Sequence, residues 1–289
     1  MVKKQQPTPP RLIHTASLWT LIGQPSIKRE WSLDRKAEEA GKAGFKAING
    51  AVEPGVGAVA EKHGLEYVGY FSSAKMTEFR PAVEAHLKEN VNGIINVQLG
   101  DHDTSTARML KMALALKKES ERAGVQLLVE EHRDTGTETP EKTRALADAY
   151  KKETGAVLPM TCDHSHPAVI KHLVPGNFSE RLLDRPDLVQ HSPFMHIRPF
   201  NGHHCQVPVT DGKGRLSDEF KAFLPFVHDL FVCWLNGPRP GNTLYVVPEL
   251  GPIHHTYGLS CFPNVWEDAK RARKEYQKAW TQALKTVGK

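Results

Sequence analysis

Residues 125–166 read VQLLVEEHRDTGTETPEKTRALADAYKKETGAVLPMTCDHSH. The run 126–129 is short and mostly apolar, as suits a strand buried on both faces. It stops on Glu130, Glu131 and His132. Thr139 followed by Pro140 reads as a helix N-cap with proline at the first helical position. A second apolar run, 158–161, stops on Cys162, Asp163, His164, Ser165 and His166. The segment is a strand–helix–strand unit whose strands both end on side chains able to hold a cation.

Outward from this unit the same alternation covers the chain. Candidate strands fall at 12–15, 47–49, 67–70, 93–97, 126–129, 158–161, 194–197 and 244–247. Helix signals lie between them. Ser32 caps a helix running to Ala43 and ending at Gly44. Asp103 or Thr104 precedes a long helix with Met109, Met112, Ala113 and Leu116 on one face, closing at Gly124. Ser217 opens a helix carrying Phe220, Phe223, Leu224, Val227 and Phe231. Asn264 and Glu267 have the spacing of a capping box. The helix they open carries Trp266, Ala269, Tyr276, Trp280 and Leu284, a stripe that reads as packing against the chain's own outer helices.

Eight strand–helix units with right-handed crossovers close naturally into a single (β/α)8 TIM barrel. An open doubly wound sheet lacks support, because no strand leads into a Gly-x-Gly-x-x-Gly turn. The length of 289 residues suits one such barrel. Residues 1–10 read as a disordered polar tail. Residues 11–289 read as the barrel, including a C-terminal helix over 264–287.

Composition excludes some functions. The formal net charge of +5 is mild and spread along the chain. It forms no stripe suited to nucleic acid. No apolar run approaches the roughly 18 residues needed to span a bilayer, and the start carries no secretory core. The four cysteines, Cys162, Cys205, Cys233 and Cys261, lack metal-knuckle spacing. They read as free buried thiols of a reducing, cytoplasmic setting.

In a barrel the site is built at the C-terminal ends of the strands. Four strands there end on Glu130, Asp163, His196 and Glu249, spaced by 33, 33 and 53 residues. A single Glu at a strand end is most often a loop charge, and a single His is more often structural than a ligand. The conjunction carries more weight. Three carboxylates and an imidazole gathered at one barrel mouth would be costly without a cation. Mostly oxygen donors with one imidazole suit Mn²⁺ best, with Mg²⁺, Co²⁺ or Zn²⁺ as alternatives.

Four segments resemble a known family. VEEHRDTGTETP (129–140), DHSHP (163–167), HIRPF (196–200) and PELGP (248–252) look like the matching segments of xylose-isomerase-like barrels. The wider stretch HIRPFNGHHCQVP looks like the sugar phosphate isomerase/epimerase branch. The resemblance spans roughly residues 12–280, and its specific part is the second half. It implies metal ligands at Glu130, Asp163, His196 and Glu249. Glu130 is preferred to Glu131 because the pattern is Glu-x-His, with His132 as second member. Asp163 and His166 match an Asp-x-x-His pattern whose His contacts substrate, and Arg198 would face a substrate oxygen or anion. His14, at the end of the first strand, is a further candidate for the substrate side, although an ordinary polar residue at the barrel mouth reads equally well.

The activity this implies is a metal-dependent isomerase or epimerase on a keto-sugar or polyol. Glu130 and Glu249 would be the catalytic pair: one removes the proton beside a carbonyl, and the other returns it to the same or the opposite face. A lyase on a keto-sugar, of the inosose dehydratase or 3-keto-glycoside-cleaving kind, starts with the same step and uses the same residues. Its acid for the leaving group could be His166, His203 or His204. AP endonucleases match less well, because their segment corresponding to HIRPF carries an Asp soon after the His. A non-catalytic sugar-binding barrel has no need of the paired Glu. The expected partner is a small carbohydrate, with homo-oligomer formation possible and neither nucleic acid nor membrane.

Overall fold

The structure is a computed structural model that describes residues 9–255 and 257–288. The expected tail over 1–10 lies mostly outside the described residues. The eight strands are β1 (Arg11–Ser17), β2 (Ala47–Ala51), β3 (Glu66–Ser73), β4 (Ile94–Leu99), β5 (Gln126–Glu130), β6 (Met160–Cys162), β7 (Phe194–His196) and β8 (Thr243–Val247). They form a closed parallel barrel in sequence order. Closure is made by β1 on β8, with Leu12 opposite Leu244 and His14 opposite Val246. All eight expected strands are present. The sixth begins two residues late because Pro159 has no N–H to give to the ladder.

The helices that follow the first five strands are α1 (Leu33–Lys42), α2 (Val56–Lys62), α3 (Phe79–Lys88), α4 (Thr106–Ala123) and α5 (Pro140–Thr154). Three short helices, α6 (Ser165–Ile170), α7 (Phe178–Leu182) and α8 (Pro186–Gln190), make the next crossover. They are followed by α9 (Asp218–Leu235) and α10 (Val265–Thr286). Ser32, Thr139, Ser217 and Asn264 cap their helices as expected, each accepting backbone N–H groups of the first turn. Two expectations need correction. The cap of α4 is Ser105, because Asp101 folds its carboxylate back onto the Asp103 N–H and the Thr104 hydroxyl. The capping box of α10 is half closed: Asn264 accepts from Trp266 and Glu267, but the Glu267 carboxylate pairs with Lys270 instead.

Alternation along each strand sorts the barrel interior into layers. Ile13, Ala47, Val68, Ile94, Leu128, Phe194 and Val247 form an apolar plug. Two residues further along, the same inward face carries Thr15, Asn49, Tyr70, Asn96, Glu130, His196 and Glu249. A polar layer therefore sits directly on a dry one, at the C-terminal ends of the strands.

The aromatic stripe of α10 packs on the chain's own barrel. Trp280 meets Phe231 and Trp234 at 5.4 and 5.9 Å, and Trp266 stacks on Phe45 at 5.5 Å. The Tyr276 hydroxyl donates to the Ile197 carbonyl at 2.7 Å, which ties α10 to the strand that carries His196. The four cysteines are free, as expected, but only Cys162 is buried; Cys205 and Cys233 are half-buried and Cys261 is exposed. Among the described residues no helix is long and apolar enough to cross a membrane.

His14 corrects one site expectation. Because Ile13 points inward, His14 points outward, and its Nε2 pairs with the Gln277 side chain of α10 at 3.0 Å. Burial pushes this imidazole down to about 4, against the hydrogen bond it donates to Gln277 Oε1. A folded value below the ordinary one means that its contribution is full above pH ~6.5 and is lost as pH falls toward 4. Unfolding free energy should therefore drop by about 2 kcal/mol more between pH 7.5 and 5 in the native chain than in His14→Gln. Parallel pH profiles of the two chains in urea titrations would refute this.

Candidate metal centre and cleft

The strand ends bring Glu130, Asp163, His196 and Glu249 together, with one ligand atom of each within 4.8 Å of the others. Glu130 closes β5, and its neighbour Glu131 faces the other way, against the outer helices, where burial pushes its carboxyl up to about 8. The two-residue period thus separates the adjacent glutamates physically. Asp163 follows β6. Its Oδ1 accepts from the Ser165 N–H at 3.0 Å and hydroxyl at 2.5 Å, which leaves Oδ2 buried without a hydrogen-bond partner. His196 ends β7. Its Nδ1 lies 2.9 Å from Glu130 Oε1, 3.4 Å from Glu249 Oε2 and 4.0 Å from Asp163 Oδ2.

The electrostatics show a demand for positive charge. Glu130 and Asp163 are fully buried, and Glu249 keeps only 12% of its side chain exposed. Burial alone would raise the carboxyls, yet His196 holds Glu130 down at about 2, and Arg198 and His166 hold Asp163 well below the usual carboxylate range. Burial disfavours a charged His196, but Glu249 and Glu130 push it up to about 9. Arg198 reaches Glu249 by a charged hydrogen bond and stands 3.3 Å from Asp163. The donor set fits a divalent ion. Opposite ligands of a hard cation with bonds of about 2.1–2.4 Å stand roughly 4.2–4.8 Å apart, and an inward carboxylate oxygen that accepts no hydrogen bond, Asp163 Oδ2, is already present.

His166 and His132 flank the cluster. Their rings are 4.2 Å apart, and His166 Nε2 is 3.4 Å from Asp163 Oδ2. His132 lines the open cleft, whereas His166 is buried behind it. Of the expected substrate contacts, His132 and Arg198 reach the cleft directly; His14 does not.

The cleft holds 610 Å³ beside His196 and Glu249. Its walls include residues that only tertiary folding reveals. Trp19 comes from the β1–α1 loop and Tyr257 from the β8–α10 loop; their rings meet edge to face at 4.7 Å. Tyr257 is flanked by Arg133 at 4.5 Å and Arg198 at 5.0 Å, a placement favourable for a cation over a ring. Gly251 permits this closure, because a Cβ there would stand 2.3 Å from the Trp19 ring. Gln206 clamps the same segment, giving its amide N–H to the Gly251 carbonyl at 3.0 Å and accepting the Gly251 N–H at 2.7 Å. On the opposite side Tyr70 donates to Gln98 at 2.9 Å. Below the cleft, Asn96 donates to Glu130 Oε2 at 2.8 Å.

No family model and no curated protein matches this sequence. Solved structures do. An L-ribulose 3-epimerase aligns over 97% of this chain and 97% of its own, at 13% identity and a TM-score of 0.61. A D-allulose 3-epimerase from Methylomonas sp., solved with D-allulose, covers 95% and 98% at 14% identity and a TM-score of 0.58. A xylose isomerase-like TIM barrel protein from Mycobacterium smegmatis, solved with magnesium, covers 94% and 98% at 13% identity and a TM-score of 0.54. The fold is that of the xylose-isomerase-like TIM barrels, along essentially the whole chain.

Proposed function

We propose that this protein is a divalent-metal-dependent isomerase or epimerase of a keto-sugar or polyol, working by proton abstraction beside a carbonyl. The observation that carries the reading is the convergence of Glu130, Asp163, His196 and Glu249 on one point at the floor of a cleft walled by Trp19, Tyr70 and Tyr257 with the amides of Asn49 and Gln98. Two of the structural neighbours are ketose epimerases, which supports a carbohydrate substrate.

The four residues would hold Mn²⁺ or a similar ion, which when bound polarises a carbonyl and makes the neighbouring C–H acidic. Glu249 faces the cleft and is placed to take that proton. Arg198, fixed by Glu249 and Asp163, is placed to orient a substrate oxygen. Trp19 and Tyr257 would cover the apolar face of a sugar ring and exclude water. Charge bookkeeping favours a neutral substrate. Three carboxylates, one guanidinium and a divalent ion sum to zero, and the further charged groups on the cleft wall, Lys36 and Glu53, are of opposite sign.

A lyase on a keto-sugar shares the first step. His132 favours keeping it in view: its Nδ1 is engaged by the Arg133 carbonyl at 2.6 Å, which leaves Nε2 for a leaving group in the cleft. Of the three histidines expected as that acid, His166 is buried behind His132, and His203 and His204 are exposed.

The test is Mn²⁺-loaded protein in heavy water with a panel of unphosphorylated and phosphorylated ketoses, followed by NMR. Deuterium should enter at the carbon beside the carbonyl of a neutral ketose, with an epimer, aldose or dehydrated product identifying the reaction. Exchange with none of them, in protein that holds one ion per chain, would overturn the proposal.

A further inference from the structure

The three carboxylates of the centre are not equivalent. Asp163 and Glu130 each have one oxygen committed to the protein and one offered inward. For Asp163 the commitment is to Ser165. For Glu130 it is to Asn96, whose Nδ2 donates to Oε2 at 2.8 Å while Oε1 faces His196. Among the described residues, no such amide or hydroxyl holds Glu249. It meets Arg198 through Oε2 and is the one carboxylate of the three that lines the cleft.

Asn96 is a costly residue to place where it is. It is fully buried in the middle of β4, directly opposite Leu128, two residues below Glu130. Its Oδ1 has no partner among the described residues. A buried amide with one end unsatisfied is destabilising. An apolar residue at this point would continue the barrel core without that cost. The amide's orientation is dictated by its neighbour: turning it over would set Oδ1 against a carboxylate oxygen.

We propose that Asn96 is a positioning residue that fixes Glu130 as a one-oxygen ligand and so leaves Glu249 as the only ligand carboxylate free to carry a proton. This rests on the metal centre proposed above. For Glu130 to serve as base, Oε2 would have to leave Asn96 and swing into the cleft. The amide would then be buried with both ends unsatisfied. Glu249 is held as well, by Arg198, but through Oε2 alone, and it already lines the cleft, so it needs no such swing to reach a substrate. Proton transfer by the ligand carboxylates accordingly works from the side of the cleft that Glu249 occupies, not from two opposed sides.

The test is metal affinity, which does not depend on knowing the substrate. Mn²⁺ binding to the full chain stripped of metal is measured by calorimetry and by the Mn²⁺ electron paramagnetic resonance signal, for native protein, Asn96→Ala and Asn96→Asp. Loss of an outer-shell partner typically weakens metal binding by about 10–100-fold, and Asn96→Ala should fall in that range. Asn96→Asp preserves the volume but replaces the donor with a carboxylate, so it should bind more weakly than Ala. A residue needed only for packing gives the opposite order, since Asp fills the space and Ala leaves a void. Equal affinities, or Asp binding more tightly than Ala, overturns the proposal. Should Asn96→Asp not fold, Asn96→Ala decides alone: affinity within three-fold of native overturns it. A protein that binds Mn²⁺ with the expected ranking yet exchanges no sugar proton would sink the proposed reaction and leave the role of Asn96 standing.

Discussion

Replacing Glu249 by Gln should lower solvent proton exchange at the substrate carbon by about 10³-fold, within the 10²–10⁴-fold range of a general base. The comparison belongs at saturating Mn²⁺, with bound ion verified spectroscopically, because Glu249 is also a proposed ligand and its loss weakens the ion. Glu130→Gln, treated in the same way, should lose about ten-fold or less once the ion is restored, since Glu130 Oε2 is held by Asn96 and does not face the cleft. The pair of variants separates the two glutamates, which the sequence alone treats as interchangeable. If Glu249→Gln retains exchange within ten-fold of native, Glu249 is not the base. If the two variants are equally dead at full metal occupancy, the proton is handled by both, and the opposed-carboxylate mechanism returns.

Much of the site was legible in the sequence because two regularities coincide. Buried parallel strands read as short apolar runs, and barrel chemistry sits where those runs stop. Glu130, Asp163, His196 and Glu249 are each the polar interruption at such a stop. His14 misled because a strand end alone does not give the phase: one residue earlier, Ile13 already occupies the inward face, so His14 must face the helices. Asn96 was overlooked although it left a trace. Within IINVQL it is a polar residue in an apolar run, two positions after inward Ile94, which is the same step that separates Leu128 from Glu130. Asn49 and Tyr70 follow the same rule after Ala47 and Val68. Trp19 and Tyr257 leave no such trace. They are about 240 residues apart on irregular loops, and only closure of β1 on β8 makes them neighbours.

Metal should also be a large term in stability. A ligand that binds only the folded state stabilises by RT ln(1 + [L]/Kd), about 4 kcal/mol at a thousand-fold excess over Kd. The four donors stand at or just beyond the ends of four successive strands, β5 to β8, so their geometry exists only when the second half of the barrel is closed, and an unfolded chain offers no comparable site. Mn²⁺ at about a thousand times its Kd should therefore raise the unfolding free energy of native protein by about 4 kcal/mol over the value in chelator. Asp163→Asn is the informative variant. Its Oδ1 can still accept from Ser165, so the start of α6 is preserved, while the inward oxygen becomes an amide nitrogen that cannot ligate. If its Kd rises by about 10³-fold, the same Mn²⁺ concentration contributes only about 0.4 kcal/mol. The substitution also disturbs Arg198 and His166, which stand 3.3 and 3.4 Å from Oδ2, so absolute stabilities of the two chains are not comparable. The difference between Mn²⁺ and chelator within each chain cancels that direct effect, as a double-mutant cycle does. A Mn²⁺-dependent gain that is the same in native and Asp163→Asn protein would show that Asp163 is not a ligand, and the centre would have to be assigned to a different set of residues.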